Sequence, residues 1–129
     1  MDTINEYLDL SHEYRILVPK DKVSEEILYR GEIYDIQDLS NYFHVMEFHE
    51  DVYGYLEDRL FDFINIKLDI LINMYDEEIL EPDQIDEAIT VTNEKISESS
   101  EERFTDLATE FLNLLIEAKN NNTIVGFYF

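Results

Sequence analysis

Cysteine is absent, which excludes a disulfide framework and a thiolate metal site and makes the chain compatible with a reducing compartment. Glycine occurs only at Gly31, Gly54 and Gly126, so neither a phosphate-cradling loop nor a glycine-flanked nucleophile turn is present. Long apolar runs are missing as well. Even Ile64 to Tyr75 is broken by Asn65, Lys67, Asp69 and Asn73, far short of the ~18 apolar residues that mark a membrane span. The segment Met1 to Leu10 carries Asp2, Glu6 and Asp9 in place of the positive region and apolar run of a signal peptide, so a cytoplasmic location is expected. Basic residues are scarce: 9 Lys plus Arg stand against 31 Asp plus Glu, for a net charge of −22 and a pI near 4.1.

What is present is enough to fold. The 129 residues are 45% hydrophobic and 13% aromatic, a composition that sustains one packed core and predicts a single acidic globular domain over residues 1–129. A charge surplus of this size costs stability through self-repulsion, and its field repels nucleic acid and anionic lipid while drawing in basic proteins. Direct nucleic-acid and membrane binding are therefore not expected.

The hydrophobic periodicity predicts an α+β fold, mostly helical, with a small sheet built from an N-terminal and a C-terminal strand. Residues 1–12 suggest a short helix through Ile4, Tyr7 and Leu8. Tyr14 to Pro19 reads as a strand that proline ends. Lys20 to Asp38 is mixed, with a helical turn near Ser24 or a hairpin around Gly31. From Asp38 the three- and four-residue spacing of Leu39, Tyr42, Phe43 and Met46, continued by Val52, Leu56, Leu60, Ile64, Leu68, Leu71 and Tyr75, predicts one long helix. A second apolar line, Phe61, Phe63, Ile66, Ile70 and Ile72, predicts that this helix is buried on two sides. Pro82 suits the first turn of another helix with a stripe of Ile85, Ala88, Ile89, Thr92 and Ile96. A last helix, opened by a Ser99 and Glu102 capping box, runs through Phe104, Phe111 and Leu115 to Ala118. Thr123 to Phe129 reads as a buried strand, with Ile124 and Tyr128 on one face and Val125, Phe127 and Phe129 on the other. Its expected partner is Tyr14 to Val18.

Chemistry-bearing patterns are few. On a helix His44 and Glu47 share a face, but His49 falls off it and the only other imidazole is His12, so the two-turn geometry of a zinc site is missing. Carboxylate pairs such as Asp76, Glu77 and Glu78 recur throughout, and in so acidic a chain proximity alone does not identify an acid/base pair. The Asp76 to Glu87 run lacks the ligand alternation and central glycine of an EF-hand and reads as a solvated loop. Enzymatic activity, cofactors and bound metal are not expected.

The acidic surface says more. Between Glu47 and Glu110 the only cations are Arg59, Lys67, Lys95 and Arg103, so few of the intervening carboxylates can be paired internally. The expected partner-binding residues are Glu50, Asp51, Glu57, Asp58, Asp76, Glu77, Glu78, Glu81, Asp83, Asp86 and Glu87. Tyr29, Tyr34, Tyr42, Tyr53, Tyr55 and Tyr75 are candidate anchors among them.

The half of the chain from Leu68 to Phe129 resembles the immunity proteins that neutralise bacterial polymorphic and contact-dependent toxins. The likeness is carried by the apolar spacing of Leu71-Ile72-Asn73-Met74-Tyr75-Asp76-Glu77-Glu78-Ile79-Leu80, Phe111-Leu112-Asn113-Leu114-Leu115-Ile116-Glu117-Ala118 and Val125-Gly126-Phe127-Tyr128-Phe129. It implies a stoichiometric inhibitor of a basic toxin domain, often a nuclease, and carries over no catalytic residue. A second reading is a phage DNA mimic that blocks a restriction or CRISPR effector. A third is a small metal-dependent enzyme using His44, Glu47 and His49.

Overall fold

A computed structural model describes residues 14–129; the helix expected over residues 1–12, and His12 with it, lie outside them. The elements are β1 (Tyr14–Pro19), α1 (Lys22–Tyr29), single 3-10 turns at Ile33–Asp35 and Leu39–Asn41, β2 (Phe43–Phe48), α2 (Glu50–Leu56), a π-helical segment (Glu57–Phe61) and α3 (Asp62–Leu68). They continue with β3 (Glu78–Leu80), a 3-10 turn (Pro82–Gln84), α4 (Ile85–Glu98), α5 (Glu102–Asn121) and β4 (Val125–Tyr128).

The four strands form one antiparallel sheet in the order β2-β1-β4-β3. As the sequence predicts, β4 pairs with β1, with Arg15 opposite Tyr128, Ile16 opposite Phe127 and Leu17 opposite Gly126. The alternation along the strands sorts the side chains into two cores. Tyr14, Ile16, Val18, Met46, Phe48, Leu80, Val125 and Phe127 face a helical layer made by α2 to α5. Leu17, Phe43, Ile124 and Tyr128 face the other way, onto Leu28 of α1 and Ile33 of the first 3-10 turn. The sheet is thus covered on both sides, thickly by helices and thinly by α1 and the strap of turns after it. This is the α+β architecture expected, and no helix among the described residues is long and apolar enough to cross a membrane.

The region after β1 resolves in favour of a helix. Asp21 caps α1 by accepting from Ser24 N–H at 2.8 Å, and Gly31, at φ +68°, ends it in a left-handed conformation that suits glycine. No hairpin forms there.

The long helix expected from Asp38 to Tyr75 is instead a strand followed by an interrupted helix. Phe43 and Met46 stand three apart, as on one helical face, but Met46 and Phe48 enter the helical-side core while Phe43 and Val45 pack on the opposite side, which only an extended chain allows. The helix then ends at Leu68, where Asp69 adopts φ +55° and the Asn65 amide binds both Ile72 N–H, at 2.7 Å, and Ile72 C=O, at 3.0 Å. Of the second apolar line Phe61 is buried, but Phe63 and Ile66 are exposed, and Ile70 and Ile72 reach the core from beyond the end of the helix.

Two further details differ. Ser99 is not the start of the last helix but the C-cap of α4, and its hydroxyl accepts from Glu101 N–H at 3.1 Å. The start of α4 is fixed by Pro82 and by Gln84, whose side chain accepts from Glu81 N–H at 2.8 Å. Part of the loop expected from Asp76 to Glu87 is the edge strand β3.

Candidate partner-binding surface

Every one of the nine cations lies in the described part of the chain and has an intramolecular partner. Arg15 holds Glu47 at 2.8 Å, Lys119 holds Asp86 at 2.9 Å, and Arg59 holds Glu101 at 3.3 Å. Lys95 pairs with Glu98 at 3.3 Å, and Arg30 and Lys67 form looser pairs with Glu26 and Glu87. Lys20 and Lys22 bind the carbonyls of Ser40 and Asn122, both at 2.6 Å, and Arg103 stacks on Tyr55. With so few cations spent this way, most of the 31 carboxylates are left for solvent or a partner.

The carboxylates singled out from sequence are divided by the fold. Glu50 and Asp51 in the first turn of α2, and Glu57 and Asp58 in the π segment, belong to the helical layer. Glu57 accepts from Tyr53 Oη at 3.0 Å. Asp83 sits exposed in the turn before α4, while Asp86 and Glu87 in its first turn are those paired with Lys119 and Lys67. Asp76, Glu77, Glu78 and Glu81 flank or form β3. Glu78 is spent inside the loop, accepting from Leu71 N–H at 2.9 Å and Ile79 N–H at 3.0 Å.

Glu77 and Glu81 instead join the thin layer on the second face of the sheet. Tyr34 Oη donates to Glu77 at 2.7 Å and Tyr29 Oη to Glu81 at 3.4 Å, so the edge strand and the strap are tied together by neutral donors on charged acceptors. Around these ties the surface is hollowed. A cavity of about 540 Å3 is lined by Ile33, Ile36, Leu39 and Val45 together with Arg15, Glu47, Tyr34, Asp38 and Tyr128. Tyr128 also lines a second hollow, of about 460 Å3, with Tyr29, Glu77 and Glu78. A third, of about 230 Å3, lies between Ile27, Ile36 and Tyr42 and is edged by Glu32 and Asp35.

This face combines the features a protein partner uses: concavity, exposed tyrosines and uncompensated charge. Tyr34 is 72% exposed, Tyr29 53% and Tyr42 40%. Sequence reasoning named these three tyrosines but missed Glu32, Asp35, Asp38 and Glu47. The available signal was the interleaving of tyrosine and carboxylate from Tyr29 to Tyr42.

The hydroxyls stay protonated across the neutral range. Desolvation, then the hydrogen bond to Glu77, push Tyr34 up to about 12, with Arg15 pulling weakly the other way. Burial foremost, with the charge of Glu77 behind it, raises Tyr128 further. Tyr29 is raised by desolvation and by Glu81. Tyr34 and Tyr29 therefore act as donors, and none of the three adds charge of its own. Tyr128 also holds its ring over Gly126, where a Cβ would lie 2.6 Å from its Cε2; glycine is what lets the ring lie flat against the sheet.

The two described histidines, His44 and His49, do not converge. On a strand His44 and Glu47 point to opposite faces, His44 Nε2 lying 3.8 Å from Glu117 Oε1 of α5 and Glu47 turning to Arg15. His49 stands at the N-terminus of α2. Among the described residues no group of three or more His, Asp or Glu is placed to hold a metal ion. Comparison with family models, curated proteins and solved structures returns no match.

Proposed function

We propose that the chain is a cytoplasmic stoichiometric inhibitor that binds a basic protein, in the manner of an immunity protein neutralising a bacterial toxin, with a nuclease domain the target best suited to its charge. The observation that carries this reading is the complete internal use of the nine cations beside a large surplus of free carboxylates, some of them set among exposed tyrosines. Such a surface accelerates encounter with a cationic protein and supplies aromatic anchors for the bound state.

The direct test is co-expression with a candidate toxin encoded by a neighbouring gene. Restored growth and a 1:1 complex, whose association slows as salt rises, are expected. Failure to rescue growth, or an association rate indifferent to salt, would remove the proposal.

The DNA-mimic reading has one observation in its favour: Glu102, Asp106 and Glu110 line the exposed side of α5 at four-residue intervals. Successive carboxylates on such a ladder rise by about 6 Å, against about 3.4 Å per phosphate along one DNA strand, so it mimics a strand at about half density. Competition with duplex DNA for a nuclease effector, lost on neutralising those three residues, would select this reading over the first.

A further inference from the structure

We infer that the 540 Å3 cavity on the second face of the sheet receives an arginine side chain from the basic partner. This rests on the inhibitor reading above and adds to it the point of entry.

Three features of the lining match the two parts of an arginine, its methylene stem and its guanidinium. Ile33, Ile36, Leu39 and Val45 offer apolar surface for the methylenes of a long charged side chain. Asp38 and Glu47 offer carboxylates for the guanidinium. Asp38 has only the neutral Ser40 N–H and hydroxyl as its described donors, while Glu47 is engaged on one side by Arg15. Tyr34 offers an exposed ring at the rim, its hydroxyl fixed by Glu77.

The molecule already shows how its aromatic rings are used. Arg59 lies 3.9 Å and Arg103 4.4 Å from the Tyr55 ring, and Lys95 lies 3.6 Å from that of Phe63. Among the described residues no cation covers Tyr34. A planar guanidinium stacks on such a ring and forks onto a carboxylate at once, which an ammonium does not do. An anionic ligand is disfavoured, because Arg15 is the only cation lining the cavity and Glu47 neutralises it.

The probe is acetyl-Gly-Arg-Gly-amide, with its uncharged citrulline counterpart as control, titrated into the 15N-labelled full chain. Saturable shifts are expected at Tyr34, Leu39, Val45 and Tyr128, with citrulline weaker by about ten-fold, the loss of one charge-assisted hydrogen-bonded contact. Tyr34→Ala, at an exposed position, should weaken arginine binding by about three- to five-fold, the size of an exposed cation–π pair, with spectral changes confined to the cavity and to the neighbourhood of Glu77, which loses the Tyr34 hydrogen bond. Neutralising Glu102, Asp106 and Glu110 together should leave binding within about two-fold, since distant solvent-exposed charges are screened. Equal response to both peptides, or shifts that cluster on α5 in place of the cavity, would overturn the assignment. If that happens while the wild-type chain still rescues growth, the inhibitor reading stands without this site. Absence of rescue by the wild-type chain removes both.

Discussion

Phe111 is fully enclosed, meeting Phe61 edge-on at 5.7 Å between ring centroids and Phe127 at 6.1 Å. Phe111→Ala should cost about 3–5 kcal/mol by denaturant unfolding, because it leaves a cavity among rings that cannot collapse into it. Leu68→Ala should cost less, since that residue is only partly buried against the same core. Both positions are legible in the sequence as apolar, but the difference in their depth is not, because periodicity reports a face and not how far it is buried. Tyr53 gives a second test. Burial first, then the hydrogen bond to Glu57, raise its ionisation well above the ordinary tyrosine value of 10.0. The neutral form is favoured by folding, so this contribution is complete below about pH 10 and is lost as pH climbs towards the folded-state value. Unfolding free energy measured from pH 8 to 11 should fall at the alkaline end, and Tyr53→Phe should flatten that fall.

At the scale of elements, β1, β4, α4 and most of α5 follow from their spacing, down to the faces of Ile124 and Phe127. The segment from Phe43 to Phe48 does not. Its six residues carry apolar groups at positions that serve a period of 3.6 as well as a period of 2, and the choice is made by β1, which is buried on both faces and takes a neighbour on each side. The three-residue β3 is too short to show a period and is recruited by β4. The end of α3 was hidden for another reason, the reach of the Asn65 side chain across seven residues. The left-handed Asp69 that follows predicts a gain: Asp69→Gly should stabilise by up to about 1 kcal/mol, whereas Asp69→Val should destabilise by about 1–2 kcal/mol, as thermal unfolding of the two variants would show.

For the whole molecule the charge was legible at once, but its distribution was not, because faces are defined by strands that pattern alone did not reveal. The structure puts Glu77 and Glu81 against the tyrosines of the thin layer and leaves Glu50 and Asp58 beyond the sheet. Self-repulsion at −22 predicts that moving from 20 mM to 500 mM NaCl raises the melting temperature, where a chain held by surface ion pairs would lose stability. Asp76→Lys combined with Asp83→Lys, at exposed positions without ion pairs among the described residues, should slow association with the basic partner and leave unfolding within about 0.5 kcal/mol of wild type. The central strand pair joins residues 15–17 to residues 126–128, segments far apart in the sequence. During synthesis, therefore, neither layer has a finished floor to settle on until Tyr128 has cleared the ribosome. Nascent chains arrested before Val125 should be digested by protease at concentrations that spare chains in which β4 has emerged, which makes assembly wait on β4 instead of following the order of synthesis.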